Sequence, residues 1–297
     1  PILLADLFFR VGGDIIGMAD TCVEINVDNT IGDDFWVWRA DHGAEVTWLK
    51  NIAENGLIVN GNDVTMYALM CEHFREYQTI WNGENGRLYF YQSELPYDVI
   101  NQESWIAPNG ANGYASYKVS DHVRVHEAWG LGVYSCFTRT GEPPQPPLSG
   151  YADGLTYVFS DSAIEVPNAP GVKIHNACTV YLAADNSLRG KPSIKNVVNN
   201  YGGAIFAPVN RAFITEFCDP IDELPQVQTI DGKTFNTGKY SVPQQVKLVS
   251  AIDGEIWYTL DSSSPLPSNP AAIKYDGEPI LIGDYGRVVV LSVMIVN

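Results

Sequence analysis

The 297 residues carry 35 acidic and 18 basic side chains, a formal net charge of −17, which excludes nucleic acid and anionic membrane surfaces as main partners and suits a neutral ligand. No stretch reaches the roughly 18 apolar residues of a membrane span; residues 288–296 are of strand length. The 26 Gly, 18 Pro, 16 Tyr, 11 Phe and 7 Trp are spread through short apolar runs without helical periodicity, the composition of a secreted all-β protein with room for two domains. Cys22, Cys71, Cys136, Cys178 and Cys218 show no C-x-x-C or Cys/His metal spacing. They read as small core fillers, with no metal or cofactor expected.

In chain order, the first patterned region is a repeat. Asn60 precedes Glu72 by twelve residues, Asn82 precedes Glu94 by twelve, and Asn29 precedes Asp41 by the same interval. His42 follows Asp41 as His73 follows Glu72. Counting each Asn as zero, position six is Phe35, Met66 and Leu88 and position eight is Val37, Ala68 and Phe90, with Trp36, Tyr67 and Tyr89 between them. Period-two alternation of this kind predicts strands. The 22-residue interval from Glu72 to Glu94, with Asn and Gly at the turns, matches one coil of a right-handed parallel β-helix.

Like positions on successive coils stack at about 4.8 Å, so Asp41, Glu72 and Glu94 are expected to form one acidic column. Stacked acids repel, and their recurrence points to polar chemistry rather than a plain surface. The longer interval from Asp41 to Glu72 predicts an insertion within residues 44–58. A strand running straight from the Asn would turn the glutamates into the core, where an unpaired charge is very costly. A corner has to intervene.

Beyond a loop at residues 96–113 the β pattern continues to about residue 138, and a Pro/Gly-rich insertion fills 140–150. Strand-like runs resume at 172–182 and 194–206. Near Asp222-Glu223-Leu224-Pro225 the texture changes to evenly spaced short strands, which divides the chain into a parallel β-helix over 1–224 and a small β-sandwich over 225–297. The run Gly254-Glu255-Ile256-Trp257-Tyr258-Thr259-Leu260-Asp261 and the later Tyr275-Asp276-Gly277-Glu278-Pro279-Ile280 resemble the immunoglobulin-like C-terminal module of chitobiases and β-hexosaminidases. That resemblance implies an accessory module that positions or attaches a polysaccharide-active domain.

Four segments of the first region carry a second resemblance. Phe35-Trp36-Val37-Trp38-Arg39-Ala40-Asp41-His42, Cys71-Glu72-His73, Gln92-Ser93-Glu94-Leu95-Pro96-Tyr97 and Ala128-Trp129-Gly130-Leu131 are similar, in order and spacing, to the C-terminal β-helix of family 55 glycoside hydrolases. These are inverting, exo-acting β-1,3-glucanases. The resemblance implies Glu94 as general acid and Glu72 as the residue that positions or activates water, with Asp41, His42, His73, Gln92, Tyr97 and Trp129 lining the substrate pocket. Inversion needs carboxyl groups roughly 6.5–9.5 Å apart, and an ionised Glu72 nearby would keep the proton on Glu94.

Two departures accompany the match: Leu95 stands where the family has Thr, and the family's first β-helix, which forms the other wall of the cleft, has no counterpart here. The expected partners are a neutral β-glucan and either an N-terminal β-helix fragment of the same precursor or a second copy of the chain. The alternative is a non-catalytic glycan-binding or wall-assembly module on the same scaffold. The calcium-binding acids and basic residue of pectate-lyase-type enzymes cannot be assembled from this sequence.

Overall fold

The computed structural model describes residues 1–137, 158–182, 191–205, 210–218, 225–235, 240–250, 254–261, 263, 265–283 and 291–296. The first coil contributes β1 (Ile2–Val11) and β2 (Ala19–Ile25), the second β3 (Thr30–Arg39) and β4 (Ala53–Val59). The third contributes β5 (Thr65–Glu72) and β6 (Thr79–Trp81), the fourth β7 (Gly86–Glu94) and β8 (Tyr117–Val119), and the fifth β9 (Val125–Ser135) and β10 (Ile164–Glu165). A sixth long strand, β11 (Gly171–Tyr181), is followed by β12 (Arg211–Cys218). The long strands form one sheet in the order β1-β3-β5-β7-β9-β11-β12, parallel except for the β11–β12 pair. The short strands form a second parallel sheet, β2-β4-β6-β8-β10. Alternating inward residues fill the space between the sheets, among them Phe35, Leu57, Met66, Trp81, Leu88 and Tyr117, all at 0 % exposure. This is a parallel β-helix, with no α-helix among the described residues.

Register differs from the sequence expectation in one coil. Met66 pairs with Leu88 and Tyr67 with Tyr89, as the 22-residue interval predicts. Between β3 and β5, however, Gly32 pairs with Met66 and Trp38 with Glu72, an offset three residues longer than the one expected. The asparagine that begins the second coil's repeat is Asn26. The Asn60 Nδ2 donates to Asn26 Oδ1 at 2.6 Å and the Asn82 Nδ2 to Asn60 Oδ1 at 2.7 Å, a side-chain ladder that sets the stacking. Asn29 aligns instead with Asp63 and Asn85, whose side chains are also bonded to each other. The insertion consequently occupies residues 40–52, between β3 and β4.

The corner that the sequence requires lies inside the long strands. Asp6, Asp34, Ala68, Phe90 and Asn176 have φ between 50° and 68°, and Gly130 has φ 70°. The pairing aligns these six residues in a single column. One left-handed residue reverses the alternation: in β7 Leu88 is buried before the corner, Tyr91 and Ser93 after it. Ala68 and Phe90, which the repeat places at position eight of the alternation, are therefore the corner itself, and Phe90 is 56 % exposed.

The run at 194–206 is made of isolated bridges (Ile194–Ile205, Val198–Tyr201) rather than a strand. The Pro/Gly-rich stretch at 140–150 and the boundary at 224 lie outside the described residues. Beyond it, β13 (Gln226–Thr229), β14 (Gln244–Val249), β15 (Glu255–Thr259), β16 (Ile273–Lys274), β17 (Ile280–Ile282) and β18 (Ser292–Val296) form two antiparallel three-stranded sheets, β13-β14-β17 and β16-β15-β18. They share a core of Val246, Leu248 and Ile280, separate from that of the β-helix.

Candidate active site

Four residues past the corner, each long strand presents one outward side chain. In β1, β3, β5, β7 and β9 these are Arg10, Trp38, Glu72, Glu94 and Tyr134. The column thus contains two glutamates on adjacent coils, with aromatic residues on both sides. Asp41 is absent from the column but reaches the same place from the insertion: its Oδ2 lies 3.8 Å from His73 Nε2.

Glu72 is 8 % exposed, and its Oε2 accepts a hydrogen bond from Trp36 Nε1–H at 3.0 Å. Burial raises its pKa above the ordinary carboxyl range, while hydrogen bonds from Trp36 and Gln92 pull it partway back. Glu94 has a single side-chain donor, Tyr97, and remains further raised. Burial first, then the neighbouring charges of Glu72 and Asp41, raise its pKa to about 7. The Tyr97 hydroxyl donates to Glu94 Oε2, which leaves Oε1 as the oxygen free to carry the proton outward. Two carboxyls of the same chemistry are thereby pushed apart, one held by donors and one kept protonated near neutrality.

His73 is wedged between the acids. Its Nε2 lies 3.9 Å from Glu94 Oε2 and 3.8 Å from Asp41 Oδ2, too far for hydrogen bonds. Burial lowers its pKa to about 4 despite the nearby Asp41, so at neutral pH the ring is uncharged and these contacts are not ion pairs. The Tyr97 ring meets it edge-on at 4.5 Å. Its backbone is left-handed, φ 66°, and is held there by His73 N–H donating to Glu94 O at 2.8 Å. His42 lies at the rim, mostly exposed, with Nδ1 2.7 Å from Asp41 Oδ1 and its ring 5.4 Å from Trp38. On the side of the first coil, Phe8, Trp36 and Trp38 form a platform with centroids 5.0–6.3 Å apart, and Arg10 lies 4.8 Å over Trp38.

Comparison with known proteins bears on this arrangement. Residues 1–94 match the LAM55 pectate lyase-like domain. Over 202 residues the chain is 39 % identical to a protein of Streptomyces sp. (strain SirexAA-E / ActE) named exo-beta-1,3-glucanase, covering 68 % of this chain and 30 % of that one. Two structures of sacteLam55A from Streptomyces sp. SirexAA-E, one of a variant in complex with glucose, superpose with a TM-score of 0.63 at 33–34 % identity, over 73 % of this chain and 36 % of theirs. The β-helix belongs to glycoside hydrolase family 55. The chain spans about a third of the length of these family relatives.

Of the residues that the family resemblance singles out, the structure gathers Glu94, Glu72, Asp41, His73, Gln92 and Tyr97, and leaves His42 at the rim. Trp129 is placed elsewhere. It sits on the other side of the corner, stacked between Tyr89 at 4.7 Å and His175 at 5.0 Å, so both faces of its ring are covered by protein rather than presented to a sugar. Leu95, in place of the family's Thr, points into the core. Sequence reasoning missed Trp36 and Trp38 as site residues, although both lie in the matched motif. Correct register would have found them, since Trp38 is the true neighbour of Glu72.

Proposed function

We propose that this β-helix is the acid-bearing wall of a secreted, inverting, exo-acting β-1,3-glucanase. The observation that carries the reading is the protonation pattern: Glu94, with a pKa near 7, stands one coil from a Glu72 held by Trp36 and Gln92. Glu94 gives its proton to the glycosidic oxygen as the C1–O bond breaks. Water, positioned by Glu72, bonds to C1 from the opposite face and yields its proton to that carboxylate, so a β-linked substrate gives the α-anomer. The similarity to a Streptomyces exo-beta-1,3-glucanase supports the substrate class.

The first coil supports a facing partner. Leu3, Ile15, Ile16 and Met18 are 53–80 % exposed there, and apolar side chains left open in this way suit contact with a partner. A second β-helix, from the same precursor or from a second copy, would cover such a surface and complete the cleft. Phe8 and Trp36, 56 % and 42 % exposed above a buried Trp38, also suit a non-catalytic glycan-binding module, the second reading. Incubation with laminarin followed by proton NMR of the fresh hydrolysate separates the two. Glucose appearing first as the α-anomer supports the proposal. The β-anomer first would mean retention, and binding without hydrolysis would favour the second reading.

A further inference from the structure

Behind the acidic column lies a buried ionic pair that the proposed chemistry does not use. Arg39 is 1 % exposed and Asp98 4 %. Arg39 Nη1 donates to Asp98 Oδ1 at 2.9 Å and Nη2 to Oδ2 at 2.7 Å, a bidentate fork. The remaining donors are also used: Nε to Asn51 O at 2.6 Å, Nη1 to His73 O at 3.1 Å and Nη2 to Thr47 O at 3.3 Å. All five N–H groups of the guanidinium are satisfied. A buried pair of this kind is often no more stabilising than apolar residues of the same volume, so its contribution is geometric.

The geometry it fixes is specific. Arg39 ties together three segments that are distant in sequence: the insertion at 40–52, the turn after Glu72, and the loop after Glu94. These segments carry Asp41, His73 and Tyr97, the groups that surround Glu94. Asp98 directly follows Tyr97, so anchoring Asp98 anchors the hydroxyl that occupies Glu94 Oε2.

We propose that Arg39 and Asp98 are positioning residues for the reaction: their fork holds Tyr97 on Glu94 and His73 between Glu94 and Asp41, so that only Glu94 Oε1 faces the leaving group. The inference rests on Glu94 being the general acid. Lysine at position 39 would keep the charge but not the planar five-donor geometry, and asparagine at position 98 would keep the shape but weaken the fork.

The test compares Arg39→Lys, Asp98→Asn, Tyr97→Phe and the Tyr97→Phe/Asp98→Asn double variant on laminarin, with melting temperature as the folding control. We expect kcat to fall about tenfold or more in each single variant while KM stays within about threefold. Tyr97 donates to the ionised carboxylate, so releasing it raises the pKa of Glu94. The alkaline limb of the pH–rate profile should therefore move to higher pH by about half a unit in all three. The double variant should be no more than about twofold slower than the slower single one, because both act through the same bond.

Multiplying losses, or an unmoved alkaline limb in folded Arg39→Lys and Asp98→Asn, would overturn the proposal. Failure of both variants to fold would make the pair a structural strut and overturn it equally. If Glu94→Gln keeps the parent rate, the acid assignment has failed; if it is inactive while Arg39→Lys is unchanged, only the positioning role has.

Discussion

At the scale of single residues, the site trades stability for a held proton. Folding raises the pKa of Glu94 from about 4.3 in an unfolded chain to about 7, so its contribution to stability is fully present at low pH and is lost as pH rises through that window. His73 acts in the opposite sense. With its pKa lowered to about 4, its contribution is present above about 6.5 and lost as pH falls. Glu94→Gln should therefore melt higher than the parent, by a margin that widens between about pH 5 and pH 7 and then levels off. Calorimetry across that range checks the sign. Neutralising the neighbour has a separate signature: Glu72→Gln removes a charge that raises the pKa of Glu94, and should move the alkaline limb of residual hydrolysis to lower pH. A pH–rate profile of that variant reads this directly.

At the scale of the element, the corner column determines which way the glutamates point. A left-handed L-residue costs about 1–2 kcal/mol, and Phe90 bears that cost with its ring 56 % exposed. Phe90→Asn should stabilise the fold by roughly 0.5–1 kcal/mol because asparagine tolerates φ > 0 better, whereas Gly130→Val should destabilise it by about 1–2 kcal/mol. Denaturant titration of both variants measures the difference. The need for this corner was legible in the sequence, because Glu72 and Glu94 could not otherwise face outward. Its position was not, since Asp34, Ala68 and Phe90 share no side-chain property, only a backbone angle. Register was legible where two asparagines stand 22 residues apart and failed where the 40–52 insertion lengthened a coil, because Asn26 and Asn29 both offer a plausible start. That three-residue difference replaced Trp38 with Asp41 in the predicted column. Asp41 still reaches His73, but through a loop whose path is defined by tertiary contacts, with Arg39, with the first coil and through the buried Val46 and Trp48.

At the scale of the whole molecule, the strands after residue 225 have their own core and no carboxylate in the acidic column. A chain ending at residue 224 should hydrolyse soluble laminarin within about twofold of the parent rate while binding insoluble glucan less well; loss of soluble-substrate activity in a folded truncation would show that the module shapes the cleft. Trp129 illustrates what sequence alone leaves open: an aromatic lining a pocket is indistinguishable in a matched motif from one that belongs to the Tyr67–Tyr89–Trp129–His175 stack until coils are aligned. The central claim is that Glu94 delivers the proton, and the most direct measurement is kcat/KM on laminarin for Glu94→Gln beside the parent, both shown to be folded. The amide keeps the shape and cannot give up a proton, so the account predicts a loss of about a thousandfold. A rate within about tenfold of the parent would contradict it.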